Sequence, residues 1–283
     1  MENHIKYYIN FILFSIIVLT NTSFGQISVD AGLTPSEDRW ILRFQTRYME
    51  RENSTSSNTN YMKSYSVNGV VAYGIRRDLT LIIRNKHQFQ KMKMNEHKSS
   101  FNGFGDLTLI TKYAFYRINN PDYIFGLAGT IGIDVPVGHE LITSETWNLH
   151  FGLFSSLKHN FDSFDFNISY SFNGLTKRDD NIRPGNQLSL DLAYTRQIII
   201  GTGSDITFAP VLELKFINTK SDEINYNDLK NNGESLLFIS PGFKITISSL
   251  ILESLVLFPV WQEQEKNQMR FNIMGLIGIR YMY

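Results

Sequence analysis

The sequence predicts an all-β fold, a transmembrane antiparallel up-and-down β-barrel of about 12 strands. From Arg39 onward, apolar and polar residues alternate with period two, as in a strand with one apolar and one polar face. Most of these runs exceed the roughly 9 to 11 residues that a tilted strand needs to cross a bilayer. The connections alternate between short turns and long polar segments. Long loops at one rim and short turns at the other are typical of outer-membrane barrels with both termini in the periplasm.

The N-terminal residues 1–25 are predicted to be a signal peptide. Lys6 is followed by the apolar stretch Tyr7 to Thr20, which is shorter than the roughly 20 residues of a spanning helix. Ser23 and Gly25 are the small residues expected before a cleavage site. The alternative is a single membrane anchor.

The remainder of the chain divides into two parts. Residues 26–38 precede the alternating pattern and are interpreted as a periplasmic N-terminal stub or as a plug inside the barrel. Residues 39–283 are predicted to form the barrel.

The first run shows the alternation clearly, with Trp40, Leu42 and Phe44 on one face and Arg43 and Gln45 on the other. Twelve such runs occur, at residues 39–49, 62–75, 79–91, 105–116, 123–134, 147–158, 164–174, 186–197, 205–217, 235–247, 251–261 and 269–283. The eleventh fits neither face cleanly, because Glu253 lies among apolar residues. Its register is left open.

The connections are predicted to sort by rim. The segments 50–61, 92–104, 135–146, 175–185, 218–234 and 262–268, which are polar and mostly long, are interpreted as outer loops, and the short connections between the other strands as periplasmic turns. A soluble lipocalin-like barrel or sandwich also alternates, but with its apolar face inward. Aromatic residues near strand ends, where interface girdles lie, favour an outward apolar face in the outer membrane of a Gram-negative cell.

The chain ends in Tyr281-Met282-Tyr283. This terminal strand resembles the C-terminal assembly signal of outer-membrane barrels, which ends in an aromatic residue, and Tyr281 and Tyr283 are assigned to it. The expected partners are therefore outer-membrane lipids and the barrel-assembly machinery.

Composition excludes several function classes. Equal numbers of basic and acidic residues, 27 each, argue against a nucleic-acid partner. The chain has no cysteine, which removes disulfides and thiolate chemistry. His97 and Ser99 are spaced closely enough for a nucleophile and its base, but they fall in a predicted outer loop and no Gly-x-Ser-x-Gly elbow occurs. We expect no enzymatic activity, no cofactor and no metal.

Charged residues with inward parity are predicted to line a narrow lumen. They are Arg43, Arg47, Arg84, Lys86, Asp106, Lys112, Asp134, Lys158, Asp165, Asp191, Asp205, Glu213, Lys215, Lys244, Arg270 and Arg280. Basic residues outnumber acidic ones in this set, so the lumen is expected to conduct weakly and to prefer anions.

One segment carries a family resemblance. Gly103 to Leu109 (GFGDLTL) continues to Lys112-Tyr113 and is followed by Gly126 to Gly138 (GLAGTIGIDVPVG). These residues resemble the family named for the MetA pathway of phenol degradation, outer-membrane barrels assigned to transport. After Gly138 the family often has an acid, where this chain has His139. The resemblance implies passive or gated passage of a small, apolar or aromatic solute. The alternative is a structural or surface-interaction barrel with a plugged lumen.

Overall fold

A computed structural model shows a closed antiparallel barrel of twelve strand positions, which confirms the predicted fold class. It describes residues 27, 35–55, 58–94, 96–140, 142–143, 145–176, 182–200, 206–224, 227–228, 233–264 and 268–283. The predicted signal peptide lies outside the described residues, as does most of the segment 26–38.

The strands are β1 (Trp40–Thr55), β2 (Asn58–Arg76), β3 (Leu79–Met94), β4 (His97–Phe104), β5 (Leu107–Asn119), β6 (Tyr123–Val135), β7 (Asn148–His159), β8 (Asp162–Phe172), β9 (Ile182–Arg183), β10 (Gln187–Arg196), β11 (Ile198–Ile199), β12 (Ile206–Thr219), β13 (Glu223–Ile224), β14 (Asn227–Asp228), β15 (Glu234–Ile247), β16 (Leu250–Gln264) and β17 (Arg270–Met282). Each of the twelve predicted runs coincides with one barrel position. β4 and β5 share a position, because both pair with β3 on either side of a break at Gly105-Asp106.

Neighbouring strands pair in chain order around the barrel, and β1 pairs with β17 to close it. Trp40 and Tyr283 exchange backbone hydrogen bonds of 3.0 and 2.9 Å at this seam. The short turns lie at the same end of the barrel as the Trp40–Tyr283 pair, and we call this end the inner rim. The opposite outer rim carries the longer connections, where β9, β13 and β14 form a small three-stranded sheet. Among the described residues, no helix is long and apolar enough to cross a membrane.

The apolar face of the barrel points outward. On β8, Phe166 is 48% exposed, whereas its neighbours Asp165 and Asn167 are 2% and 0% exposed. A soluble barrel would bury the phenylalanine and expose the polar residues. The observed arrangement is that of a barrel whose outer wall contacts lipid.

Two segments that were predicted to be outer loops are instead paired strands. β1 and β2 remain in register to the pair Thr55 and Asn58, and β3 and β4 to the pair Met94 and His97. The sequence prediction ended the strands where apolar residues stop. The ladder continues beyond that point because backbone hydrogen bonds between neighbouring strands do not require apolar side chains.

The structure also assigns the register of the eleventh run. On β16, Ile251, Glu253, Leu255 and Leu257 are buried inside the barrel, whereas Leu252 is exposed outside. This strand defied a simple assignment because apolar residues occupy both of its faces.

Candidate functional site

Almost all of the charged residues that were predicted to face inward lie in the barrel lumen. Buried or half-buried inside it are Arg43, Arg47, Lys86, Asp106, Lys112, Asp134, Lys158, Asp165, Asp191, Glu213, Lys215, Lys244 and Arg280. Arg84 lies on the same face of β3 as Ile82 and Lys86 but is exposed.

One predicted position differs, and one cannot be placed. Arg270 is exposed, and its neighbour Phe271 is buried in its place. The physical reason is a register shift between β1 and β17 at Glu50 and Arg51, which exchanges the faces of β17 beyond that point. Asp205 lies outside the described residues.

A buried carboxylate that the sequence prediction missed lies among the inward charges. Glu253 is 2% exposed, and its Oε1 accepts from Arg43 Nε at 2.7 Å and from Gln45 Nε2 at 2.6 Å. Its Oε2 accepts from Arg280 Nη2 at 3.0 Å. Arg43 and Arg280 are direct cross-strand partners, so their like charges need an acid between them. That opposed pair is the signal that could have located Glu253.

Ile27 occupies the lumen beside this cluster. Its backbone N–H donates to Glu213 Oε1 at 2.7 Å, and its carbonyl accepts from Gln45 Nε2 at 2.9 Å and from Arg43. The side chain is 0% exposed. At least this residue of the segment 26–38 is therefore inside the barrel.

The lumen wall is asymmetric. On β12 and β15 to β17, inward apolar side chains form one cluster with Ile27: Val211, Leu236, Phe238, Leu255, Leu257, Phe271 and Leu276. At the outer end of this apolar wall, the guanidinium of Arg51 lies 3.7 Å from the ring centre of Phe271 and pairs with Glu234 at 3.0 Å. The remaining strands supply most of the predicted charges, for example Asp191 on β10, which pairs with Lys215 of β12 at 2.8 Å.

Toward the outer rim, three side chains form a Ser–His–Asp sequence of contacts. His150 Nε2 is 2.7 Å from Asp134 Oδ2, and His150 Nδ1 is 2.7 Å from Ser171 Oγ. Thr108 and Asn148 also donate to Asp134. These contacts resemble those of a hydrolase triad, but such a site also needs donors for an oxyanion.

Two backbone donors that follow Ser171 in the chain are occupied. The backbone N–H groups of Asn173 and Gly174 each donate to an asparagine side-chain oxygen at 3.0 Å. We therefore interpret the triad-like contacts as a structural network. The other candidate pair, His97 and Ser99, lies on the solvent-exposed outer extension β4.

Comparison with known proteins identifies the family. The profile described as the MetA-pathway of phenol degradation matches residues 45–252, well over half of the chain. The chain belongs to this family. No curated protein matches.

Solved structures of similar fold are outer-membrane barrels. An outer membrane channel from Pseudomonas putida F1 is similar at a TM-score of 0.70 and 12% identity, over 90% of this chain and 100% of that one. The β domain of the Bordetella autotransporter BrkA is similar at a TM-score of 0.53 and 8% identity, over 88% of this chain and 100% of that one. At these identities the likeness establishes the fold, that of an outer-membrane barrel.

The motif that carries the resemblance to the MetA-pathway family has a structural role in this chain. The strand break at Gly105-Asp106 receives the loop that follows β6: Gly138 N donates to Asp106 Oδ1 at 3.1 Å, and His139 N donates to Phe104 O at 2.9 Å. A Cβ on Gly138 would lie 2.7 Å from the backbone of Gly105. The two halves of the motif are thus joined by hydrogen bonds at the outer rim, and the close approach of Gly138 to the backbone of Gly105 leaves no space for a larger residue at position 138.

Proposed function

We propose that the protein passes a small apolar or aromatic solute across the outer membrane, and that Ile27 obstructs its path in the lumen. The apolar wall of the lumen carries this proposal. Barrel interiors are ordinarily polar, because they hold water. A continuous inward cluster of leucine, valine and phenylalanine side chains is costly against water unless an apolar group covers it.

In this structure the apolar group that covers the wall includes Ile27. The backbone of this residue forms three hydrogen bonds with side chains: its carbonyl accepts from Arg43 and Gln45, and its N–H donates to Glu213. A solute with an apolar ring and a few polar atoms offers the same combination of contacts. We infer that such a solute competes with Ile27 for the wall.

The charged side chains of the lumen disfavour passage of bare ions. They are largely neutralised within the protein, as in the Glu253 cluster and the Asp191–Lys215 pair. An ion that enters must lose part of its hydration without gaining an unpaired counter-charge.

Liposome swelling tests the proposal. Two solutes that do not cross lipid unaided are compared, 4-nitrophenyl glucoside and methyl glucoside, with full-length protein and with a variant that lacks residues 27–34. We expect the deletion to accelerate entry of both solutes, and the aromatic one by the larger factor. Equal acceleration would contradict an apolar pathway.

A matched pair of substitutions in the deletion variant isolates the wall. Phe238→Ala removes a buried inward ring from β15, whereas Phe243→Ala removes an exposed outward ring from the same strand. Only the first should abolish the preference for the aromatic solute. If neither full-length nor deleted protein admits solute or current, the alternative holds, a plugged barrel with a structural or surface role.

A further inference from the structure

The outer surface carries a group of lysines above the lipid-facing wall. On the paired extension formed by β2, β3 and β4, Lys63 stands directly opposite Lys91, and Lys93 directly opposite Lys98. Lys91 and Lys93 are two residues apart on one strand and therefore share a face. We call these four residues the lysine patch.

Register shows that the lysine patch faces away from the lumen. Two residues below Lys91 on β3, Phe89 stands opposite Tyr65, and both rings are exposed on the outside of the barrel. Because side chains alternate strictly along a strand, Lys91 and Lys93 point to that same outer side. The side chains of Lys63 and Lys98 point to the same outer side, because directly paired residues of neighbouring strands share a face of the sheet.

Aromatic rings below the lysine patch indicate its position relative to the membrane. Phe89 and Phe104 flank His87 with ring centres 4.6 and 4.7 Å from the imidazole, and Tyr48 lies 4.9 Å from Tyr65. Exposed aromatic residues mark the boundary between hydrocarbon and headgroups. Along β3, Lys91 lies roughly 7 Å and Lys93 roughly 13 Å beyond Phe89. The lysine patch is therefore at the height of the headgroups of the outer leaflet.

The patch is short of acidic partners. Glu50 pairs with Lys63 at 3.0 Å, Glu52 accepts from Asn272, and Glu96 lies exposed at the hairpin tip. Among the described residues, no ion pair engages Lys91, Lys93 or Lys98. Like charges directly opposite each other weaken a ladder unless a counter-charge lies between them. The geometry thus leaves room for an external anion.

We propose that the lysine patch binds the phosphate groups of the phosphorylated glycolipid in the outer leaflet. Ammonium groups bind phosphate as compact point charges, and several of them on one outward face match a headgroup that carries more than one phosphate. The acyl chains of the same lipid contact the exposed rings below. This inference rests on the outer-membrane fold and does not depend on which solute crosses the lumen.

The test uses the full chain in detergent micelles and measures binding of lipid A by native mass spectrometry. The probes are bis-phosphorylated lipid A, the same lipid A after removal of both phosphates, and phosphatidylglycerol. We expect wild type to bind the bis-phosphorylated form about tenfold more tightly than the dephosphorylated form. The triple variant Lys91→Gln, Lys93→Gln, Lys98→Gln should lose that preference.

A matched control removes three exposed positive charges from the inner rim, with Arg76→Gln, Arg77→Gln and Arg117→Gln. It should keep the wild-type preference. Heat-modifiable migration in SDS gels verifies that each variant is folded. If the triple variant does not fold, Lys93→Gln alone replaces it, and it should lose part of the preference for the bis-phosphorylated lipid. Unchanged preference in the folded lysine variants would overturn the proposal. So would equal binding of phosphatidylglycerol, or full competition by inorganic phosphate.

Discussion

Glu253 shows how one carboxylate organises the interior of the barrel. It accepts hydrogen bonds from two arginines and one glutamine contributed by β1 and β17, while it is carried by β16. Burial of these charges is costly, and the arrangement persists because each charged group has a partner. Arg43 and Gln45 also donate to the carbonyl of Ile27, so the cluster links the barrel seam to this residue.

Replacement of Glu253 by glutamine should therefore destabilise the barrel. The substitution removes the negative charge but leaves Arg43 and Arg280 opposed and buried, and breaking a buried pair in this way costs about 3 to 5 kcal/mol. Urea unfolding in lipid vesicles measures the free energy. Glu263→Gln, an exposed site on the same strand, is the control and should change stability by less than about 0.5 kcal/mol. Similar losses at the two sites would contradict the assigned role.

At the scale of an element, β8 illustrates how a strand separates lipid from lumen. Phe164, Phe166 and Ile168 are exposed on one face, while Asp165 and Asn167 are buried on the other. The strand pairs in unbroken register with both β7 and β10. Adjacent residues near its middle therefore face different surroundings.

This difference predicts unequal costs for the same substitution at adjacent sites. Ile168→Arg places a charge in hydrocarbon near mid-membrane and should cost about 2 to 4 kcal/mol, whereas Ser169→Arg points into the lumen and should cost much less. Folding free energies in vesicles of defined thickness compare the two. Equal values would show that the face assignment of β8 is wrong.

For the whole molecule, closure depends on the terminal strands. β17 pairs with both β16 and β1, and the reciprocal bonds of Trp40 and Tyr283 lie at the last position of the seam. A barrel is stable in lipid only when no strand edge remains unpaired. The C-terminal residues are thus part of the closing contact as well as the predicted assembly signal.

Deletion of Tyr281 to Tyr283 should leave the protein in the periplasm and expose it to degradation, although only three residues are lost. Fractionation of the cell envelope, with immunoblotting of each fraction, measures the effect. Arg77→Gln, a substitution of an exposed residue in a short turn at the same inner rim, is a control that should not alter the outer-membrane level. A normal level of the C-terminally truncated chain would refute the assembly role.

Ion selectivity is also a property of the whole lumen. With Glu253 included, basic side chains still outnumber acidic ones among the inward charges, and Arg84 is exposed there with no ion pair among the described residues. We expect small conductance with mild anion preference in the variant that lacks residues 27–34. Arg84→Gln should reduce this preference, and planar-bilayer reversal potentials under a salt gradient measure it. Cation selectivity before that substitution would contradict the electrostatic argument.

The sequence by itself determined the barrel, its twelve strand positions and the outward direction of its apolar faces. These features follow from a period of two, which a strand keeps wherever its ladder is regular, and from long polar connections at alternate positions. Phe164 to Phe172 could be assigned residue by residue because one face is wholly apolar. Most of the inward charges were predicted for the same reason.

Only the tertiary structure decided what fills the interior. The side of Arg270 and Phe271 depends on a register shift against β1, and the role of Glu253 on two arginines far away in the chain. The position of Ile27 depends on partners from several strands. Such contacts join residues that closure of the barrel brings together across its lumen, and no local period in the sequence records that distance.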